Sequence, residues 1–171
     1  FEALSALGTY AYEHPGDVYP ELVDGDGPTV YEAEALAHPL IPTAGTVAND
    51  VTLGADPQVL IVSGSNMSGK TTLLRSVGVS TVMALMGAPV RARRLRLSPV
   101  ALGATLRIEE SLQAGRSRFY SEVLRLGQIV TLAQAGPLLF LLDELFHGMP
   151  LGQLIDCRAS DAAVDGNGVP P

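Results

Sequence analysis

The chain has 171 residues, 47% of them hydrophobic and 17% charged. That length fits one domain with at most a short attached piece, and the composition excludes a disordered chain. A formal net charge of −7 argues against a broad nucleic-acid footprint on this segment, and a single cysteine, Cys157, excludes an internal disulfide and a cysteine-built zinc site.

Apolar Phe1, Leu4, Leu7, Ala11 and Tyr12 predict an amphipathic helix over residues 1–12. Residues 14–28 are rich in Pro, Gly and Asp and read as a loop or linker. Short strands are expected over residues 29–36 and 45–53, separated by Pro39 and Pro42. His14 and His38 each precede a proline and read as surface or packing residues, without metal-ligand spacing. Asp56-Pro57 marks a turn, and the apolar run Val59-Leu60-Ile61-Val62 predicts a buried strand over residues 59–63. A helix follows over residues 71–86, apolar on most sides through Leu73, Leu74, Val77, Val82, Met83 and Met86, and so expected to be buried on more than one face. The most apolar stretch, residues 77–90, contains Ser80 and Thr81 and falls short of the ~20 residues that span a bilayer. With no signal peptide visible, a soluble cytoplasmic protein without membrane contact is expected. Because the first residue is Phe1 and not methionine, the chain is expected to be a piece of a longer one.

The one basic cluster, Arg91-Ala92-Arg93-Arg94-Leu95-Arg96, reads as the solvated face of a strand or turn in preference to a nucleic-acid contact. Another strand is expected within residues 101–108. After Gly115-Arg116-Ser117 comes an amphipathic helix with Phe119, Val123, Leu126 and Val130 on one face, and Arg118, Glu122 and Arg125 exposed; Gly136-Pro137 stops it. Leu138-Leu139-Phe140-Leu141-Leu142 is wholly apolar, the pattern of a strand buried on both faces of a parallel sheet. From residue 149 onward the periodicity is lost, and the end, Gly166-Asn167-Gly168-Val169-Pro170-Pro171, is expected to be unstructured.

Two motifs carry chemistry. Gly64-Ser65-Asn66-Met67-Ser68-Gly69-Lys70-Thr71 fits G-x-x-x-x-G-K-[ST], set between an expected strand and an expected helix. Its glycines let backbone N–H groups turn inward around a phosphate, Lys70 adds a point charge for the outer phosphates, and Thr71 offers a hydroxyl to Mg²⁺. The second motif is the apolar strand ending in Asp143 and Glu144. In a parallel sheet this strand can lie beside the one feeding the phosphate loop, so that both loops open at the same edge. Asp143 then joins Thr71 in the metal shell, and Glu144 orients an attacking water or accepts its proton. Alone, the same pair of acids would merely end a strand and cap the next element.

The residues resemble one family in particular. Gly64 to Thr72, with its Asn66-Met67 pair, resembles the phosphate loop of MutS-type DNA mismatch-repair ATPases. Val47-Ala48-Asn49-Asp50 resembles the short segment ahead of that loop. Ser111-Leu112-Gln113-Ala114-Gly115-Arg116-Ser117-Arg118-Phe119 resembles the family's signature segment, and Leu142-Asp143-Glu144 with His147-Gly148 resembles its metal-and-base strand. The resemblance implies an α/β P-loop NTPase of the ABC-ATPase type, with a mixed or mainly parallel sheet that is incomplete at its C-terminal end. Residues 1–28 would end a helical lever region, residues 29–148 form the ATPase domain, and residues 149–171 a divergent, disordered tail. It implies a nucleotide site of Gly64, Ser65, Asn66, Met67, Ser68, Gly69, Lys70, Thr71 and Thr72. Arg116 and Ser117 would reach the nucleotide of a partner subunit, either a second copy or a related chain. Thr71 and Asp143 would hold Mg²⁺, and Lys70 and Glu144 would serve catalysis. ATP hydrolysis in an intact dimer would drive a mismatch-repair conformational cycle, with DNA bound only by regions outside this chain.

The sequence departs from the family in three ways. Thr46 and Val47 stand where the family stacks the adenine on an aromatic ring, no mismatch-reading domain is present, and residues 149–171 contain no counterpart of the family's later loop, helix, strand and switch histidine. Three alternatives stay open: a different ABC-type ATPase for chromosome maintenance or transport, a catalytically inert nucleotide-binding fragment, and a dimerisation module. The transporter string Ser-Gly-Gly-Gln does not occur in the chain.

Overall fold

A computed structural model describes residues 1–23, 27–65, 67–106 and 118–143. The elements in chain order are α1 (Glu2–Glu13), β1 (Glu21–Leu22), β2 (Tyr31–Leu36), a 3₁₀ turn (Thr43–Gly45), β3 (Asn49–Leu53), α2 (Lys70–Leu85), β4 (Arg94–Leu97), β5 (Ala101–Thr105), α3 (Arg118–Ala135) and β6 (Leu138–Leu142).

The strands form two sheets. The larger has the order β1-β4-β2-β3, with β4–β2 and β2–β3 antiparallel and β1–β4 parallel. The smaller is the parallel pair β5–β6, in register from Ala101 opposite Leu138 to Thr105 opposite Leu142. The protein is thus α/β with mixed pairing, and the expectation of a mainly parallel sheet is corrected: most of the larger sheet's pairing is antiparallel. Residues 37–48 link β2 to β3 and carry the antiparallel return between them.

Alternation of side chains builds the core. On β2, Tyr31, Ala33 and Leu36 point inward, and on β4 Leu95 and Leu97 do so, with Val51 of β3 beside them. Removing a leucine of this kind from water contributes roughly 1.5–3 kcal/mol. Between Ala33 and Leu36 the β2–β3 register shifts, at a bulge where Ala35 has φ 49°. A left-handed alanine is unfavourable by about 1–2 kcal/mol; here the Asp50 carboxylate accepts the freed Ala35 N–H at 2.7 Å. The outer side of the sheet carries charge. Arg94 and Arg96 pair with Glu21, Arg96 also with Glu32, and Arg93 with Glu34. The basic cluster is therefore strand β4 and its approach, and its arginines face acids.

Helix α2 presents Val77, Met83 and Ala84 to this core, while Val79, Val82, Leu85 and Met86 reach the surface. The opposite side of α2 faces the smaller sheet, with Leu141 of β6 seated over Gly78. Helix α3 covers the far side of that sheet, with Ile129 over Gly103 of β5. The expected inward face of α3 is corrected here. Val123 and Val130 are exposed, whereas Leu126 and Ile129 turn inward. Two further expectations change. Residues 59–63 form no strand, and Val59, Leu60 and Ile61 are exposed. Strand β6 is only partly covered, since Phe140 is 43% exposed, and among the described residues its one strand partner is β5. No described helix is long and apolar enough to cross a membrane.

Candidate nucleotide site

The phosphate-type loop leads directly into α2, whose first residue is Lys70. Gly69 sits before it at φ 90°, a left-handed conformation that glycine adopts without a Cβ clash. The loop curls tightly: a Cβ on Gly64 would lie 2.8 Å from the Ser68 hydroxyl, and the Ser68 N–H donates to the Ser65 carbonyl at 3.2 Å. Met67 also has positive φ, 65°, with its side chain fully in solvent. The first amides of α2 have no carbonyl one turn earlier to accept them, so they and the positive end of the helix dipole face outward at this point.

Lys70 Nζ arches back over the loop and donates to the carbonyls of Gly64 at 2.8 Å and Ser65 at 2.7 Å. An ammonium has three donors. Among the described residues the charge is therefore held above the loop by two contacts. Thr71, half-buried one residue on, donates its hydroxyl to Asp143 Oδ2 at 2.7 Å, across 72 residues of sequence. The Asp143 backbone is fixed in turn by its N–H, which donates to the Thr105 carbonyl at 3.0 Å and so extends the β5–β6 ladder by one step.

The two motifs expected to cooperate thus meet, but not through adjacent strands. Their contact runs from the start of α2 to the end of β6. Gly64, Ser65, Met67, Ser68, Gly69, Lys70, Thr71 and Thr72 lie together on the loop and the first turn of α2, and Asp143 joins them. Asn66, Arg116, Ser117 and Glu144 lie outside the described residues. Among the described residues no group of three or more His, Cys, Asp or Glu gathers into a metal cluster. The Thr105 carbonyl that anchors Asp143 and the carbonyls that hold Lys70 carry no sequence signal, because any residue type supplies them.

The chain matches the family model of MutS domain V over residues 60–153, more than half its length. The chain belongs to the MutS family. Among its relatives are the DNA mismatch repair protein MutS of Clostridium tetani, 31% identical over 150 residues, and the endonuclease MutS2 of Thermus thermophilus, 38% identical over 119 residues. The probable DNA mismatch repair protein Msh6 of Drosophila melanogaster is 34% identical over 151 residues. These alignments cover 86%, 69% and 86% of this chain but 17%, 16% and 12% of the respective relatives. This MutS-family chain therefore spans less than a fifth of the length of the curated relatives it matches.

Proposed function

We propose that this chain is the nucleotide-binding part of a MutS-type P-loop ATPase, taking ATP with Mg²⁺ on the loop from Gly64 to Thr72. The reading rests on one observation above the others, the 2.7 Å hydrogen bond from Thr71 to Asp143. It brings two hard oxygen donors to one point beside a lysine and a helix N-terminus. Two ligand oxygens adjacent on an octahedron with bonds of 2.0–2.1 Å stand about 3 Å apart, so the pair suits Mg²⁺ with phosphate and water in the remaining positions. Thr71 and Asp143 would hold the ion there, and it would supply positive charge to offset that of the phosphates.

In this reading the backbone N–H groups of the loop and Lys70 hold the phosphates, with Asn66 and Thr72 beside them. Glu144 orients the water that attacks the γ-phosphoryl group, and the bond to the β-phosphate breaks, giving ADP and phosphate. Arg116 and Ser117 complete the site of a second subunit, so turnover belongs to the dimer. The longer protein supplies DNA contact, and hydrolysis drives its repair cycle in the cytoplasm.

Titration calorimetry tests the reading. Lys70→Ala loses most ATP affinity, because a cation over phosphate oxygens contributes a charge-assisted contact. Thr71→Ala weakens Mg²⁺-ATP more than ATP alone. Glu144→Gln retains nucleotide and loses turnover in the dimer. Parental affinity in Lys70→Ala would overturn the assignment.

A further inference from the structure

Three segments far apart in sequence meet at one guanidinium. Arg91 follows Val90, whose backbone exchanges two hydrogen bonds with Val18, at 3.1 and 2.8 Å. The Arg91 side chain lies with Nε 3.8 Å from Asp17 Oδ1, and Nη1 donates to the Ile41 carbonyl. The other Asp17 oxygen accepts the Tyr10 hydroxyl at 2.5 Å, and Tyr10 stacks on His14 with ring centroids 4.3 Å apart. The Arg91 carbonyl accepts the Ala37 N–H at 2.9 Å. The Arg91 and Asp17 side chains are only 18% and 11% exposed. Breaking one contact in such a covered set leaves a charge poorly solvated, which costs more than an exposed pair would.

The cluster matters because of what it connects. Helix α1 has no buried residue, and only Leu7 and Tyr10 reach the core, half-buried. Its angle therefore depends heavily on the Tyr10 contact. At the other end, residues 37–46 form the loop after β2, closed by bonds from the N–H groups of Ile41, Gly45 and Thr46 to His38, Pro42 and Thr43. His38 of that loop and Arg75 of α2 line one cleft of about 400 Å³, so the loop borders the half of α2 that begins with Lys70.

We propose that Arg91 is a latch coupling the angle of α1 to the loop of residues 37–46, through the chain Tyr10–Asp17–Arg91–Ile41. A displacement at either end is felt at the other, because the same guanidinium holds both. The coupling does not depend on the nucleotide reading, and its test contains no nucleotide.

Amide hydrogen exchange on the full chain tests it. Tyr10→Phe removes a hydroxyl that touches no loop residue, yet it accelerates exchange at Ile41, Gly45 and Thr46 about threefold. Arg91→Met severs both arms and accelerates the same amides about tenfold, the equivalent of about 1.4 kcal/mol of local opening. Arg91→Lys, which keeps a cation but lacks the two-armed reach, falls between them. On the Arg91→Met background, Tyr10→Phe adds nothing. The amides of β2 and β4 keep their parental rates throughout. Loop rates unmoved by Tyr10→Phe, full additivity of the two substitutions, or equal acceleration in β2 and β4 would each overturn the latch.

Discussion

The β5–β6 pair is built from more apolar sequence than the β1-β4-β2-β3 sheet, yet fewer of its apolar side chains are buried. In the larger sheet Leu36, Leu95 and Leu97 are essentially inaccessible to water. In the smaller, Leu141 alone is buried on β6 and Phe140 is exposed; outside either sheet, the run of Val59, Leu60 and Ile61 ahead of the Gly64–Thr72 loop is exposed as well. In the first sheet β2 is paired antiparallel on both edges, by β3 and β4, and β4 is flanked in turn by β1. The second is a parallel pair whose strands are joined only across a long segment containing α3. Apolar sequence creates the drive for burial, but a neighbour on each edge and face is what realises it. The candidate site lies on the less covered side.

The sharpest way to break this comparison is to truncate one leucine in each sheet. Leu95→Ala should destabilise by about 2–5 kcal/mol in urea denaturation, as buried leucines do. Leu138→Ala, at a half-covered position, should cost less than half as much. Equal losses would mean that the smaller sheet is covered as fully as the larger. Next in size is the link between the sheets' helices and the site. Thr71→Val removes a hydrogen bond to a carboxylate and should cost about 1.5–3 kcal/mol, read from the same denaturation midpoint. Paired with Asp143→Asn, it should show strong coupling in a double-mutant cycle, and none if the contact forms only transiently. Gly69→Ala should cost about 1–2 kcal/mol, because alanine resists φ near 90°. Glu32→Gln, which removes an exposed partner of Arg96, should cost no more than about 1 kcal/mol, with the difference vanishing in high salt. Smallest of all is Tyr31→Phe. The Tyr31 hydroxyl is buried beside Thr81 and, among the described residues, has no partner of hydrogen-bonding geometry, and burial pushes its phenol well above the ordinary tyrosine range. Removing it should leave stability unchanged or slightly raised, measured by thermal melting.

Much of the candidate site's geometry was legible because it depends on residue type. Gly69 takes a left-handed φ that suits glycine, Lys70 carries the ammonium that reaches two loop carbonyls, and an apolar strand ending in acid stands out at Asp143. The helices followed from periodicity and their stops from glycine and proline. Strand β4 carried a signal too, since Arg94-Leu95-Arg96-Leu97 alternates with the period of a strand. Other features had no such signal. The two-residue β1 is too short for a pattern, and the left-handed Ala35 depends on a carboxylate fifteen positions away. The strand expected over residues 59–63 failed because apolarity in sequence cannot report whether a pairing edge is available. The Asp17–Arg91 contact joins segments whose local sequences say nothing about each other.

The outer side of the larger sheet has a consequence for how this molecule meets polyanions. Glu21, Glu32 and Glu34 stand against Arg93, Arg94 and Arg96, three acids and three arginines. Their fields cancel over a few ångströms, so this surface projects almost no potential, although the chain as a whole carries −7. A phosphate backbone approaching it would release few counterions, because each guanidinium is already neutralised by a neighbour. The arginine density that makes this strand look basic in sequence is thus electrostatically silent in the fold.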